Sequence, residues 1–167
     1  CGSMDVEMNV LAATYFARHV FPRVQERVPD AELWIVGRNP ARRVRELERI
    51  RGIRVTGTVE DVRPYYEAAR IAVVPQRVGA GTKLKVFEAC SMGVPVVCTV
   101  EACRTIDRVE ESGIIVVGND DEFVHAIVEL LVNSEKRIAV GRQERQWVEK
   151  YYSWERVTKR AIDLLTQ

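Results

Sequence analysis

The sequence predicts an open, doubly wound parallel α/β sheet with helices on both faces. Five short apolar runs carry that prediction: Leu33-Trp34-Ile35-Val36, Ile53-Arg54-Val55, Ile71-Ala72-Val73-Val74, Pro95-Val96-Val97-Cys98 and Ile114-Ile115-Val116-Val117. They are rich in β-branched residues and most are closed by Gly, Pro or Thr, as buried parallel strands are. They recur at roughly 20-residue spacing, the length of one strand plus one crossover helix. The stretches between them carry helical rather than strand periodicity, which completes the alternating β–α pattern.

Each element follows from its local pattern. In the first helix Val10, Ala13, Ala17, Val20, Val24 and Val28 step by three or four into one apolar stripe, with Pro22 expected to kink it. Further helices are predicted over 41–50, 61–69, 82–92 and 120–133, with a C-terminal pair after Ser134 and Ser153. Asp61 and Ser153 stand where N-caps belong. The segment Cys1-Gly2-Ser3-Met4-Asp5 meets the first helix almost at once and leaves little room for a first strand. It reads as the start of a piece of a longer chain, an intact small domain being the open alternative. Residues 1–150 are assigned to the sheet domain and 151–167 to a C-terminal helix.

The chain has 167 residues, enough for one ordinary domain, with 47% hydrophobic and 29% charged residues. That composition excludes disorder and low-complexity character. No apolar run approaches the ~18–20 residues of a membrane span, and no basic, apolar signal segment opens the chain. Lys+Arg 25 against Asp+Glu 24 leaves a net charge of +1, so no global field recruits nucleic acid. Cys1, Cys90, Cys98 and Cys103 form no CxxC pair and do not cluster with His19 or His125, which disfavours structural zinc. Cys90 and Cys98 read as small core residues, and reduced thiols in a cytoplasmic protein are expected. Trp34, Trp147 and Trp154 read as packing residues.

Chemistry concentrates in one segment, Pro75 to Pro95. A strand ends at Pro75, a glycine-bearing loop follows, and a helix opens near Thr82. The carboxyl end of such a strand is where ligands bind, and the exposed amides of the helix start favour an anion. Lys83 and Lys85 fall in the first helical turn, where cations oppose the dipole and cost about 0.3–1 kcal/mol each. Facing a bound diphosphate, that placement becomes favourable. Arg77 can close the same pocket with a bidentate grip, and Gly79 and Gly81 allow the backbone close approach. Lys85 and Glu88 share one edge of a helix that is apolar nearly all round and so expected to be mostly buried. They form either an i,i+3 ion pair of about 0.2–0.5 kcal/mol or a phosphate ligand beside a hydroxyl acceptor. The order Gly81-Thr82-Lys83 is not that of a P-loop, and no GxGxxG follows a strand.

At these residues the chain resembles the C-terminal half of a GT-B glycosyltransferase of the group 1 (GT4-type) family. The resemblance rests on Arg77-x-Gly79-x-Gly81-Thr82-Lys83-x-Lys85-x-x-Glu88-Ala89 followed by Met92-Gly93-x-Pro95-Val96-Val97. It extends to Gly2-Ser3-Met4-Asp5 with Asn9, to Pro29-x-x-Glu32-Leu33-x-Ile35-Val36-Gly37 and to Tyr152-Ser153-Trp154. It implies a Rossmann-like domain that binds a nucleotide-diphosphate sugar at the carboxyl ends of its strands. The partner would be an N-terminal acceptor-binding domain of the same enzyme, toward which the helix of residues 151–167 would pack. Transfer of a glycosyl unit with retention and without an obligatory metal is implied, and the isolated chain is expected to be inactive.

By the same resemblance Arg77, Lys83 and Lys85 stabilise the leaving diphosphate, and Glu88 contacts the ribose. Gly79, Gly81 and Thr82 line the loop, and Val59, in the loop Gly57-Thr58-Val59-Glu60-Asp61, holds the base through its backbone. That loop reads equally well as an ordinary strand-to-helix turn. The chain departs from the family at Ala80, where a first glutamate is usual, and at Val100-Glu101-Ala102-Cys103-Arg104, where a Gly-rich turn is usual.

Two other readings were weighed. A non-catalytic, receiver-like or nucleotide-binding regulatory domain shares the layout, but Thr56-Gly57-Thr58 and Thr99-Val100 lack the aspartate and lysine a receiver needs. Arg38, Arg42, Arg43, Arg45, Arg49, Arg51 and Arg54 face only Glu46 and Glu48 across residues 38–54. Without interleaved aromatics this is a solvated helix face, or a peripheral contact with anionic lipid at the inner face of a membrane.

Overall fold

Strands form where the apolar runs place them. The computed structural model describes residues 1–79 and 84–165. In it β1 (Leu33–Val36), β2 (Ile53–Gly57), β3 (Ala72–Val74), β4 (Val96–Thr99) and β5 (Ile115–Val117) all pair in parallel. They form two ladders, β1–β2 and β3–β4–β5. Segment 1–4 runs along the end of β1, the Gly2 amide donating to the Val36 carbonyl at 3.0 Å and the Met4 amide to the Arg38 carbonyl at 2.8 Å. A Cβ on Gly37 would stand 1.7 Å from the Gly2 carbonyl oxygen, so this approach requires glycine there. Cys1 packs on the other side, against the core of the second ladder. The segment therefore lies in the seam where the strand order reverses, and the carboxyl edge of such a seam is the usual ligand site.

The first long stretch is α1 (Glu7–Tyr15), a π-turn (Phe16–Val20) and α2 (Phe21–Gln25). Pro22 lacks an N–H for the carbonyl four residues back and its ring crowds that carbonyl, and the wider turn just before it absorbs the misfit. Then follow α3 (Arg42–Arg45) with a 3₁₀ turn (Glu46–Arg49), α4 (Arg63–Ala68), α5 (Leu84–Ser91), α6 (Val100–Cys103) and a second 3₁₀ turn (Val109–Glu111). The chain ends in α7 (Asp120–Val132), α8 (Ser134–Tyr152) and α9 (Trp154–Leu165). Among the described residues no helix is long and apolar enough to cross a membrane.

Double winding is visible within β4. Val97 belongs to a core shared with Phe16, Val20, Val24, Leu47 and Phe123, whereas Val96 and Cys98 face a second core with Val86, Ala89, Cys90 and Trp147. The period-2 alternation of a strand puts neighbours on opposite faces, and both faces are covered.

The structure corrects several local expectations. Asp61 is not the cap itself: Val62 holds the N-cap position and Asp61 Oδ1 accepts the Arg63 amide at 2.9 Å. The side-chain caps of α7 and α8 are Asn119, taking the Glu122 amide, and Asn133, taking the Lys136 amide, each at 2.9 Å. Of the three tryptophans only Trp147 is core; Trp34 and Trp154 are exposed. Leu84 is 68% exposed, so α5 is buried along Val86, Ala89 and Cys90 rather than all round. All four cysteines are free, and three of them are buried.

Candidate functional site

The carboxyl edge of the sheet gathers polar side chains from distant parts of the chain. Asn9, in the first turns of α1, donates from Nδ2 to the Ser3 carbonyl at 2.9 Å. Its Oδ1 accepts from Gln76 Nε2 at 2.8 Å and from Lys85 Nζ at 3.0 Å. Gln76 leaves the end of β3 and is buried, and its own carbonyl accepts the Thr99 hydroxyl from the end of β4. Lys85 opens α5 and lies close to the backbone of Gly2. Three strands and two helices thus converge on one ammonium group.

Glu88 sits one turn along α5, exposed, and accepts the Tyr66 hydroxyl of α4 at 3.1 Å. Burial and the neighbouring Glu88 carboxylate raise the Tyr66 phenol, which therefore stays a donor. Among the described residues no ion pair joins Lys85 to Glu88: each side chain has a different partner.

Arg77 is engaged on the β5 side. Its guanidinium pairs with Asp120, at the start of α7, and stacks 4.3 Å above the Tyr15 ring. The Tyr15 hydroxyl donates to the other Asp120 oxygen at 2.6 Å, a bond that raises the Tyr15 phenol. Gly79 follows on the loop. Ala80, Gly81, Thr82 and Lys83 lie outside the described residues.

Val59 follows a hollow of about 360 Å³ at the ends of β1 and β2, lined by Asn39, Pro40, Arg45, Glu48, Val55, Thr56, Gly57 and Thr58. Glu48 is held there by the Val55 amide at 3.1 Å, and Arg45 by the Pro40 carbonyl at 2.9 Å. The structure thus places Lys85 and Glu88 on one helix edge, Arg77 in a clamp beside it, and Val59 at a separate hollow.

A second polar feature, unforeseen from sequence, lies inside the molecule. Glu144 of α8 is fully buried, and both its oxygens accept the Val96 amide at 3.0 Å while Cys90 Sγ donates to it at 3.5 Å. Burial pushes this carboxyl up to about 8, against the pull of the Val96 amide. Burial and Glu144 likewise raise the Cys90 thiol, which stays protonated. The signal was available: Gly141, Glu144, Trp147 and Val148 share one helical face.

A polar cluster at the reversal point of a doubly wound sheet stands where such folds place their ligands, and comparison with known proteins gives the family. Residues 1–133 match the family described as glycosyl transferases group 1, and the chain belongs to it, with the fold of that family's C-terminal domain. A GDP-mannose-dependent alpha-(1-6)-phosphatidylinositol monomannoside mannosyltransferase of Mycobacterium tuberculosis is 31% identical over 160 residues. That alignment spans 86% of this chain and 41% of the relative. A GDP-mannose-dependent monoacylated alpha-(1-6)-phosphatidylinositol monomannoside mannosyltransferase of Corynebacterium glutamicum is 30% identical over 158 residues, with the same coverage of 86% and 41%. This chain therefore spans less than half the length of these relatives. Among solved structures, the C-terminal domain of a group 1 glycosyltransferase from Francisella tularensis superposes with a TM-score of 0.73 at 16% identity, over 92% of this chain and 84% of that one. Staphylococcus aureus TarM superposes with a TM-score of 0.79 at 15% identity, over 99% of this chain and 34% of that one.

Proposed function

We propose that this domain binds the nucleotide-diphosphate part of a sugar donor, and that in the full-length enzyme a glycosyl unit passes from that donor to an acceptor. The observation that carries the reading is the Lys85 ammonium, held by Asn9 at the carboxyl edge of the sheet and at the opening turn of α5. There the diphosphate meets Lys85. Arg77 retains guanidinium N–H groups beyond the one on Asp120, and Lys83 adds a second ammonium.

In the reaction these groups oppose the charge that builds on the leaving diphosphate as its bond to the anomeric carbon breaks. Glu88 accepts a ribose hydroxyl, and the hollow beside Val59 receives the base. Retention of configuration, independence of metal and inactivity of this chain without an acceptor-binding domain belong to the same proposal. So does the packing of α9 toward that domain. The two mannosyltransferases at about 30% identity make GDP-mannose the first donor to try.

Calorimetric titration of the chain with GDP, UDP, ADP and dTDP tests the reading. Saturable binding of one of them, with NMR shifts centred on residues 77–90, is the expected result. No binding by any, repeated on the full-length enzyme, would remove it. Those relatives act on phosphatidylinositol mannosides by name, which supports a peripheral contact with anionic lipid through Arg42, Arg45 and Arg49 on one face of α3 and its 3₁₀ extension. Co-sedimentation with anionic vesicles should fall in an Arg45→Glu, Arg49→Glu variant, and equal partitioning ends that part of the proposal.

A further inference from the structure

We propose that Asn9 is a positioning residue that holds the Lys85 ammonium at the mouth of the site, with the Ser3 carbonyl fixing which way the Asn9 amide points. The proposal rests on the reading of Lys85 as a diphosphate ligand and extends it to residues that touch no phosphate themselves.

Two donors, Gln76 Nε2 and Lys85 Nζ, converge on Asn9 Oδ1, and Asn9 Nδ2 donates to the Ser3 carbonyl. Flipping the Asn9 amide would set N–H groups against the Lys85 ammonium and oxygen against oxygen at Ser3; a carbonyl only accepts and an ammonium only donates, so these two bonds specify one orientation. Gln76 is 4% exposed, and its Nε2 turns to Asn9 Oδ1 while its own Oε1 is left without a partner among the described residues, so Gln76 follows the orientation that Ser3 and Lys85 set. The Ser3 carbonyl is itself fixed, because the flanking Gly2 and Met4 amides are bonded to the end of β1.

The choice of an amide over a carboxylate is the second part of the argument. A flexible lysine loses rotamer entropy when it is ordered. A neutral acceptor that pre-orders the ammonium removes part of that loss from the binding step without itself adding a negative charge beside it. Aspartate at position 9 would order Lys85 equally well and would neutralise it, so the anion would compete with a resident carboxylate. Asparagine positions the cation without spending its charge.

The test uses the 167-residue chain and Asn9→Ala, Asn9→Asp, Lys85→Ala and Asn9→Ala/Lys85→Ala variants, with two independent readouts. In ¹⁵N and ¹³C NMR of the lysine side chain, Asn9→Ala should speed solvent exchange of the Lys85 ammonium protons, and Asn9→Asp should shift its titration upward. In calorimetry with GDP, Asn9→Ala should weaken binding about tenfold and Asn9→Asp by more, whereas Asn9→Ala added to Lys85→Ala should change it less than twofold. An unaltered Lys85 signal in both single variants overturns the positioning role, as does an Asn9→Ala loss that persists undiminished without Lys85. If Lys85 responds as described but neither this chain nor the full-length enzyme binds any of GDP, UDP, ADP or dTDP, the positioning role stands and the diphosphate reading falls. Unchanged far-UV circular dichroism in Asn9→Asp, which is isosteric, separates these effects from misfolding.

Discussion

Lys85 and Glu88 illustrate how little spacing alone says about partners. Three residues apart on one helix edge, they reach instead to Asn9 and to Tyr66. A charge-assisted hydrogen bond contributes roughly 1.5–3 kcal/mol, so Lys85→Ala should weaken nucleoside-diphosphate binding about 10- to 150-fold by calorimetry. Glu144 makes a different kind of prediction. Its folded value of about 8 stands above its ordinary 4.5, so between those values the folded state keeps a proton that the unfolded chain has released. Its contribution to stability is therefore fully present below the ordinary value and lost as pH rises through the folded one. The buried Cys1 amine, lowered to about 5, titrates in the opposite sense over much of this range, so the Glu144 part is read by comparison with Glu144→Gln, which keeps an acceptor for the Val96 amide. In urea denaturation the stability of wild type relative to that variant should decline from about pH 5 to about pH 9.

Sequence reasoning found Lys85 and Glu88 because both sit in one contiguous segment. The bond between Asn9 and Gln76 was not legible, because the two are 67 residues apart and an isolated amide carries no pattern. Glu144 was overlooked for a different reason: its neighbours Arg142, Gln143, Arg145 and Gln146 make the stretch look solvated unless the helical face is traced.

Among elements, the contact between α8 and the turn after α5 sets how the second core closes. A Cβ on Gly141 would lie 2.2 Å from the Gly93 carbonyl oxygen, a backbone atom that cannot swing aside. Gly141→Ala gains about 1 kcal/mol of helix propensity but forces α8 off the turn, at a cost of about 1–3 kcal/mol or more. A net loss in midpoint by chemical denaturation is the expected outcome, and a gain would show that the helix can shift freely. Strands and long helices were legible because burial on one or both faces writes a period into the sequence. The single turn α6 was not, since four residues contain no full period, and Thr99, which caps it by taking the Ala102 amide at 3.3 Å, reads as a strand residue. The π-turn was visible only as a proline in a helical pattern.

For the whole molecule, the two cores account for the body of the fold, and among the described residues neither includes a side chain of α9. Trp154, Thr158 and Ile162 face solvent along one side of α9, with Trp154 85% exposed. Removing residues 154–167 should change unfolding free energy by no more than about 1 kcal/mol, measured by thermal or urea denaturation. A larger loss would place α9 in the cooperative unit. The fold class was readable at this scale because alternation of short β-branched runs with amphipathic stretches has few other solutions. The seam was not, because segment 1–4 has no ladder to announce it.

That seam has a mechanical consequence. Segment 1–4 ties to β1 on one side, while Gln76 and Lys85 approach from the β3 side, and Asn9 is bonded to both. An anion seated on Lys85 would act as a rivet through overlapping plates, resisting the separation of two ladders that have no strand-to-strand hydrogen bonds in common among the described residues. Occupancy should then be felt far from the ligand, as slower amide exchange along β1 and β3 together.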